Sequence, residues 1–377
     1  MLKNLFKTPF PYFGGKADAA PAVWDALGDV SHYVEPFCGS LAVLMRRPHP
    51  CNRTYFSETV NDADGFLVNV WRSIQMSPQE TAEWASWPVT EADIAARHLW
   101  MLNWRAERHL EHLMANPDWH DPRAAGYWLY GICGWIGSGW GDGKGKWGVG
   151  EDGRITERVV RRPNLSDDGR GVNHAGAREP GVAVQLPHLT GNGRGMNRPQ
   201  AREPGVGDFH PMTMPELRRW FEFLSARLRH VRIVNGDWKR VCMTGALKML
   251  EVRMNKGKCG IFFDPPYGHK AKRCKGIYAK ESLDVAGDVL EWCIANGDDP
   301  DYRIVLAGFD GEHNVLEQHG WRVAEWFKKG FLKGGMAQLD GKSGGNQHRE
   351  RLWMSPHCLT QPATEEKQPG MFALEGR

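Results

Sequence analysis

Hydrophobic and polar positions alternate in two separated stretches of the chain. Residues 32–35, His-Tyr-Val-Glu, form a short β-type run. Residues 36–40, Pro-Phe-Cys-Gly-Ser, read as a tight turn, and 41–47 as a first helix. Residues 53–57 predict a second strand and 66–75 a second helix, the start of a βαβ unit. The pattern returns late. Residues 231–234 and 259–263 are β-rich, 283–295 helical, 302–307 a strand and 312–319 a helix. Residues 321–327 and 351–353 read as closing strands.

The intervening stretch, 76–230, is different. Residues 90–115 read as helical and carry Trp100 and Trp104 four apart on one face. From Gly126 to Gly207 the chain is rich in Gly, Trp, Arg and Asn with no sustained period. It holds an internal repeat at an offset of 24 residues: Gly169-Arg170-Gly171-Val172-Asn173 returns as Gly193-Arg194-Gly195-Met196-Asn197. Two copies are too few for a solenoid, which leaves a duplicated surface loop or a pair of Arg-Gly hairpins against a nucleic-acid backbone. The expectation is an α/β domain formed by 1–75 and 231–358, split by an insertion at 76–230 and followed by a polar tail at 359–377.

Composition narrows this picture. The chain has 377 residues, 41% hydrophobic and 25% charged, so a sizeable core is possible. Its net charge is only +3, so any nucleic-acid surface must come from uneven distribution. Eight scattered cysteines form no CxxC pair and no zinc-type array, which favours reduced thiols and no metal. Residues 1–10 lack a signal-type apolar run. The uncharged stretch 124–141 contains too many glycines for a membrane span and is read as buried or ligand-facing. These features point to a cytoplasmic protein without a membrane partner.

The strongest chemical signal is Gly260-Ile261-Phe262-Phe263-Asp264-Pro265-Pro266-Tyr267-Gly268. An apolar strand delivers an acid, two prolines and an aromatic to its carboxyl end, where open α/β sheets bind ligands. The prolines fix φ and remove two N–H groups, leaving carbonyl acceptors beside a carboxylate. That set suits a flat amine, with carboxylate and carbonyl accepting its hydrogens and the ring stacking on its face.

Asp264-Pro265-Pro266-Tyr267 resembles the catalytic motif of amino-directed DNA methyltransferases. Four further segments, in order, resemble the Dam-like adenine methyltransferase family: Pro11 to Lys16, Glu35 to Ser40, Asn61 to Asp64, and Asn235 to Trp238. The resemblance implies a Rossmann-like methyltransferase sheet, mostly parallel with an antiparallel closing strand, interrupted by a target-recognition insertion. It implies S-adenosylmethionine as cofactor, held by Tyr12, Lys16, Glu35, Phe37, Gly39, Asp62, Asp237 and Trp238. Gly39 lets the backbone approach the methionine part, and Phe37 can face the sulfonium. The family usually has a second glycine where this chain has Leu41. Asp62 would bind ribose hydroxyls, with Glu58 and Asp64 as rivals. Trp238 fits either a flank of the cofactor ring or the core. By itself, Lys16 reads as a solvated lysine.

The resemblance further implies direct methyl transfer to the N6 amine of a flipped adenine, with Asp264, Pro265, Pro266 and Tyr267 catalytic and no metal. Extruding the base costs a few kcal/mol, and stacking on Tyr267 would offset ~1–3 kcal/mol. The partner would be double-stranded DNA, with no obligatory protein partner and a monomer or weak dimer. Residues 239–281 hold eleven Lys/Arg against three Asp/Glu. Lys270, Lys272, Arg273 and Lys275 follow the motif and are candidates for phosphate contact, with Trp140, Lys144, Arg170 and Arg194 in the insertion. A cytosine-N4 or RNA methyltransferase shares this chemistry. A non-catalytic DNA-binding module is the alternative from another class, opposed by the intact motif. A bacterial or phage-encoded origin fits such an enzyme.

Overall fold

The computed structural model describes residues 7–10, 12, 14–48, 56–87, 89–135, 139–143, 147–150, 152–157, 214–247, 257–266, 285–325 and 350–360. Strands β1 (His32–Glu35), β2 (Ser57–Asp62), β5 (Val231–Asn235), β6 (Cys259–Phe263), β7 (Tyr302–Phe309), β8 (Arg322–Ala324) and β9 (Glu350–Met354) form one sheet. Its order is β5-β2-β1-β6-β7-β9-β8. Five strands pair in parallel from β5 to β7, and β9 runs antiparallel to both β7 and β8. The expected α/β sheet with an antiparallel closing strand is therefore found. Strands β3 (Trp147–Val149) and β4 (Ile155–Glu157) make a separate antiparallel hairpin.

A parallel sheet must be covered on both faces, and successive side chains of each strand point to opposite faces. Tyr33, Phe262, Val305 and Leu352 enter one apolar core, while Val34, Ile261, Phe263, Leu306 and Trp353 enter the other. The first core is lined by α1 (Ala20–Leu27), α2 (Gly65–Met76), α3 (Pro78–Ala85), α6 (Pro122–Gly134) and α7 (Met214–Leu228). The second takes Val289 and Cys293 of α9 (Val285–Asn296) and Val241 and Cys242 of α8 (Lys239–Cys242).

Local chemistry sets the helix limits. Asp64 caps α2, accepting from Phe66 N and Leu67 N, and Asp121 caps α6, with Pro122 at its first position. Thr90 caps α4 (Glu91–Ala106). The single helical stretch expected over 90–115 is two helices, because Arg108 is left-handed (φ +62°) between α4 and α5 (His109–Ala115). Trp100 and Trp104 do share a face, with ring centroids 6.5 Å apart.

Three further expectations need correction. The helix expected at 41–47 is only a 3-10 turn, Leu44–Arg46. Leu41 has φ +54°, outside helical space, and Arg47 is extended ahead of Pro48, as a residue before proline must be. The second strand starts at Ser57 rather than spanning 53–57, and residues 53–55 lie outside the described set. Its apolar signature is masked by Glu58, which is buried against Arg47 (3.2 Å) and Arg227 (2.7 Å). The helix expected at 312–319 is a 3-10 stretch, Asn314–His319.

The intervening stretch, 76–230, contains helices α3, α6 and α7, which the sequence reading did not assign. On α7, Leu217, Trp220, Phe221, Leu224 and Leu228 form one buried stripe at helical spacing. Helices α3, α6 and α7 pack around α2, so the apolar interior runs without a break from the sheet into 78–134 and 214–228. The repeat at 163–206 and the tail beyond residue 360 lie outside the described residues. Among those described, no helix is long and apolar enough to cross a membrane.

The edge strand β5 is closed by side chains of α2. Buried Arg72 donates to Ile233 O (2.9 and 3.0 Å), and also to Leu113 O, Asn116 O and Trp119 O (3.1, 2.9 and 3.3 Å). Gln75 donates to Val231 O at 2.9 Å. One guanidinium thus satisfies the free edge of the sheet and the carbonyl end of α5. Arg72→Met keeps most of the volume but strands these buried carbonyls. It is expected to lower unfolding stability by about 3 kcal/mol or more in a denaturant titration.

Candidate active site

Strand order reverses between β1 and β6, because the chain leaves β1 towards β2 and β5 and returns to β6 on the other side. The crevice outside the carboxyl ends of these strands is the ligand position of open α/β sheets. Of the residues expected in the site, Glu35, Phe37, Gly39, Asp62, Asp237, Trp238, Asp264, Pro265 and Pro266 all come from this edge.

Asn61 and Asp62 tie the edge together. Asn61 Nδ2 donates to Pro36 O (3.0 Å) and Gly236 O (3.1 Å), joining the loops after β1 and β5. Asp62 accepts from Gly39 N through Oδ2 and from Asp64 N through Oδ1, both at 2.9 Å. Burial pushes the Asp62 carboxyl up to about 6, against the pull of these backbone hydrogen bonds. The rivals for its role are occupied elsewhere: Asp64 caps α2, and Glu58 lies buried between two arginines at the far end of β2.

Gly39 has φ +45°, and a Cβ there would stand 2.7 Å from the Tyr12 ring. The backbone and that ring are therefore in close approach, which no larger residue permits. Two residues on, Leu41 also adopts a positive φ, +54°, with its side chain fully buried. The unusual backbone persists where the glycine is missing, because the buried leucine offsets the strain.

The charged part of the site is built around Lys16. It is only 4% exposed, so it is not the solvated lysine its sequence context suggests. Its Nζ lies 3.0 Å from Asp264 Oδ1 and 4.0 Å from Glu350 Oε2, and donates to Gly14 O at 3.0 Å. Buried Glu35 accepts from the Tyr33 hydroxyl at 3.0 Å. Burial pushes its carboxyl up to about 8; the Tyr33 hydroxyl opposes this and the Asp264 charge adds to it. Glu35 is therefore mostly protonated at neutral pH. Burial also raises Glu350, with Lys16 pulling it down.

The aromatic part is Phe37, half-buried, against Trp238 (6.1 Å) and Phe263 (6.4 Å). Trp238 is buried and meets Phe263 edge-on at 5.8 Å, which assigns it to the core and leaves Phe37 as the ring facing the edge. Asp237 is exposed, with Oδ1 accepting from Lys239 N. Trp140, expected at DNA, is instead buried. It lies against Gly131 of α6, where a Cβ would overlap its ring at 1.7 Å, and near His98 at 5.4 Å. That glycine exists to admit the indole, so Trp140 is a core residue.

Tyr267, Lys270, Lys272, Arg273, Lys275, Lys144, Arg170 and Arg194 lie outside the described residues. Among the described residues, no His, Cys, Asp or Glu group is arranged to hold a metal ion. Sequence reasoning missed Glu350 and the Asn61 clamp. Glu350 carries no motif around it, and Asn61 looks like a turn residue until its two carbonyl partners are in place.

Two stability measurements follow from these environments. Leu41→Gly relieves about 1–2 kcal/mol of backbone strain but empties a buried leucine site costing about 2–5 kcal/mol. It is expected to be net destabilising in denaturant titration. Glu35 titrates near 8 when folded and near its ordinary value when unfolded, so the unfolded chain releases the proton first. Stability is therefore lost as pH rises from about 4.5 to about 8. Glu35→Gln should remove that loss, so its melting temperature should exceed that of the unmodified protein at pH 8 more than at pH 5.

No curated protein matches the chain. Residues 12–86, which carry Tyr12, Lys16, the turn from Glu35 to Gly39 and Asp62, match the D12 class N6 adenine-specific DNA methyltransferase family, in agreement with the Dam-like character of the motifs.

Proposed function

We propose that this protein transfers a methyl group from S-adenosylmethionine to the N6 amine of an adenine flipped out of double-stranded DNA. The observation that carries this reading is the placement of Asp264-Pro265-Pro266 at the carboxyl end of β6, beside the switch point, with the Lys16 ammonium 3.0 Å from Asp264. The family match over residues 12–86 supports the adenine-directed chemistry.

The residues at the edge fit the cofactor. The Gly39 backbone meets the Tyr12 ring so closely that no Cβ fits between them, which brings backbone and ring together beside the crevice. Asp62 stands half-buried at the crevice with its carboxylate fixed by backbone amides, in position for ribose hydroxyls. Phe37 presents a half-buried ring that can face a cationic sulfur, and exposed Asp237 can accept from the adenine amine. S-adenosylmethionine supplies, when bound, a methyl group made electrophilic by its sulfonium.

In this reading Asp264 and the Pro265 carbonyl accept the two N6 hydrogens and turn the nitrogen lone pair towards the methyl. Lys16 stands beside Asp264 as its counter-charge, and in this reading it also serves the cofactor carboxylate. Tyr267 stacks on the flipped base, and Lys270, Lys272, Arg273 and Lys275 hold phosphates around it. Residues 76–230 read the target, with Lys144, Arg170 and Arg194 as backbone contacts, on the catalytic frame of 1–75 and 231–358.

The test is methyl transfer from labelled S-adenosylmethionine to unmodified DNA, followed by nucleoside analysis. Label is expected in N6-methyladenine, and label confined to N4-methylcytosine would overturn the choice of base. Asp264→Ala should lower the rate by at least about 10²–10³-fold while the protein still folds. Undiminished transfer by that variant would remove Asp264 from the mechanism.

A further inference from the structure

Glu350 has no part in the methyl transfer described above, yet it belongs to the charged cluster around Lys16. It opens β9 opposite Phe309, at the carboxyl end of β7. Its side chain is largely shielded, 17% exposed, with Oε2 4.0 Å from Lys16 Nζ. Lys16 reaches it from the segment before α1, and Asp264 reaches the same ammonium from β6 at 3.0 Å. Three remote parts of the chain thus meet at one nitrogen. A carboxylate held out of water is costly unless a cation offsets it, so Glu350 and Lys16 are mutually dependent.

This arrangement bears on a specific difficulty of the site. Asp264 must turn towards the incoming amine while its Oδ1 is held beside the Lys16 ammonium. With no other anion nearby, the ammonium would close tightly on Asp264. With Glu350 1 Å further off, it has a second seat and needs only a small shift to use it.

We propose that Glu350 is a positioning residue for methyl transfer: it shares the Lys16 ammonium with Asp264, so that Asp264 can take up the substrate amine without losing its counter-charge. The proposal rests on the reading of Asp264 as amine acceptor. In this role Glu350 acts through Lys16 rather than on the base or the cofactor. Its loss therefore affects the rate of transfer more than cofactor affinity.

The experiment compares Glu350→Gln, Glu350→Asp, Lys16→Met and the Lys16→Met/Glu350→Gln double variant with the unmodified protein. Three quantities are read: single-turnover methyl transfer to DNA, the equilibrium Kd for S-adenosylmethionine, and the unfolding midpoint of the ligand-free chain. Glu350→Gln is expected to slow transfer about 10–100-fold, as small misplacements at a reacting centre do, with Kd changed less than about 3-fold. Glu350→Asp should recover part of the rate. On the Lys16→Met background, Glu350→Gln should add no further loss, and the midpoint shifts in the ligand-free chain should be non-additive. Transfer by Glu350→Gln at the unmodified rate, or losses that multiply independently, would overturn the proposal. A large rise in Kd with the rate unchanged would also overturn it. If Glu350→Gln fails to fold, Glu350→Ala carries the same comparison. An unmodified protein with no transfer to any DNA would defeat the functional reading instead, and the ligand-free cycle would still decide whether Lys16 and Glu350 are coupled.

Discussion

The candidate site depends on the way Asn61 and Asp62 join the carboxyl ends of three strands. Asn61 binds the carbonyls of Pro36 and Gly236, and Asp62 binds the amides of Gly39 and Asp64. Asn235 returns a hydrogen bond to Asp62 O at 3.0 Å. These contacts fix the loops after β1, β2 and β5 as one unit. The same contacts hold the turn that carries the positive φ of Gly39 and Leu41.

Electrostatics at the same edge are unbalanced by design of the sheet. Alternate residues of β1, the end of β6 and the start of β9 place Glu35, Asp264 and Glu350 near Lys16, the one buried lysine among the described residues. A single lysine cannot neutralise three carboxyls in surroundings of low polarity. The imbalance is resolved by protonation of Glu35, which keeps the Tyr33 hydroxyl as partner, and by sharing of Lys16 between the other two. Asp264 remains the carboxylate nearest the ammonium.

The helices between β2 and β5 are part of the same interior as the sheet. Trp71 of α2 donates to Gly39 O at 2.9 Å, and Phe10 packs on both Trp71 and Trp128 of α6. Arg72, one position along α2, carries the carbonyl end of α5 and the edge of β5. The turn at Gly39 is therefore supported from behind by the first helices of the long middle stretch.

The sequence by itself determined the sheet and the location of the chemistry. Apolar runs such as Cys259–Phe263 and Tyr302–Phe309 are legible because strands buried on both faces must be continuously apolar. The turn at 36–40 and the acid-proline pair at 264–266 are legible because Gly and Pro restrict the backbone locally. Whatever depended on partners distant in the chain was decided only in three dimensions. Ser57–Asp62 reads as polar until Arg47 and Arg227 neutralise Glu58, and Lys16 reads as solvated until Asp264 and Glu350 surround it. Trp140 reads as a surface ring until Gly131 opens a space for it. Charge compensation and close packing are properties of residues brought together by folding, so no local pattern records them.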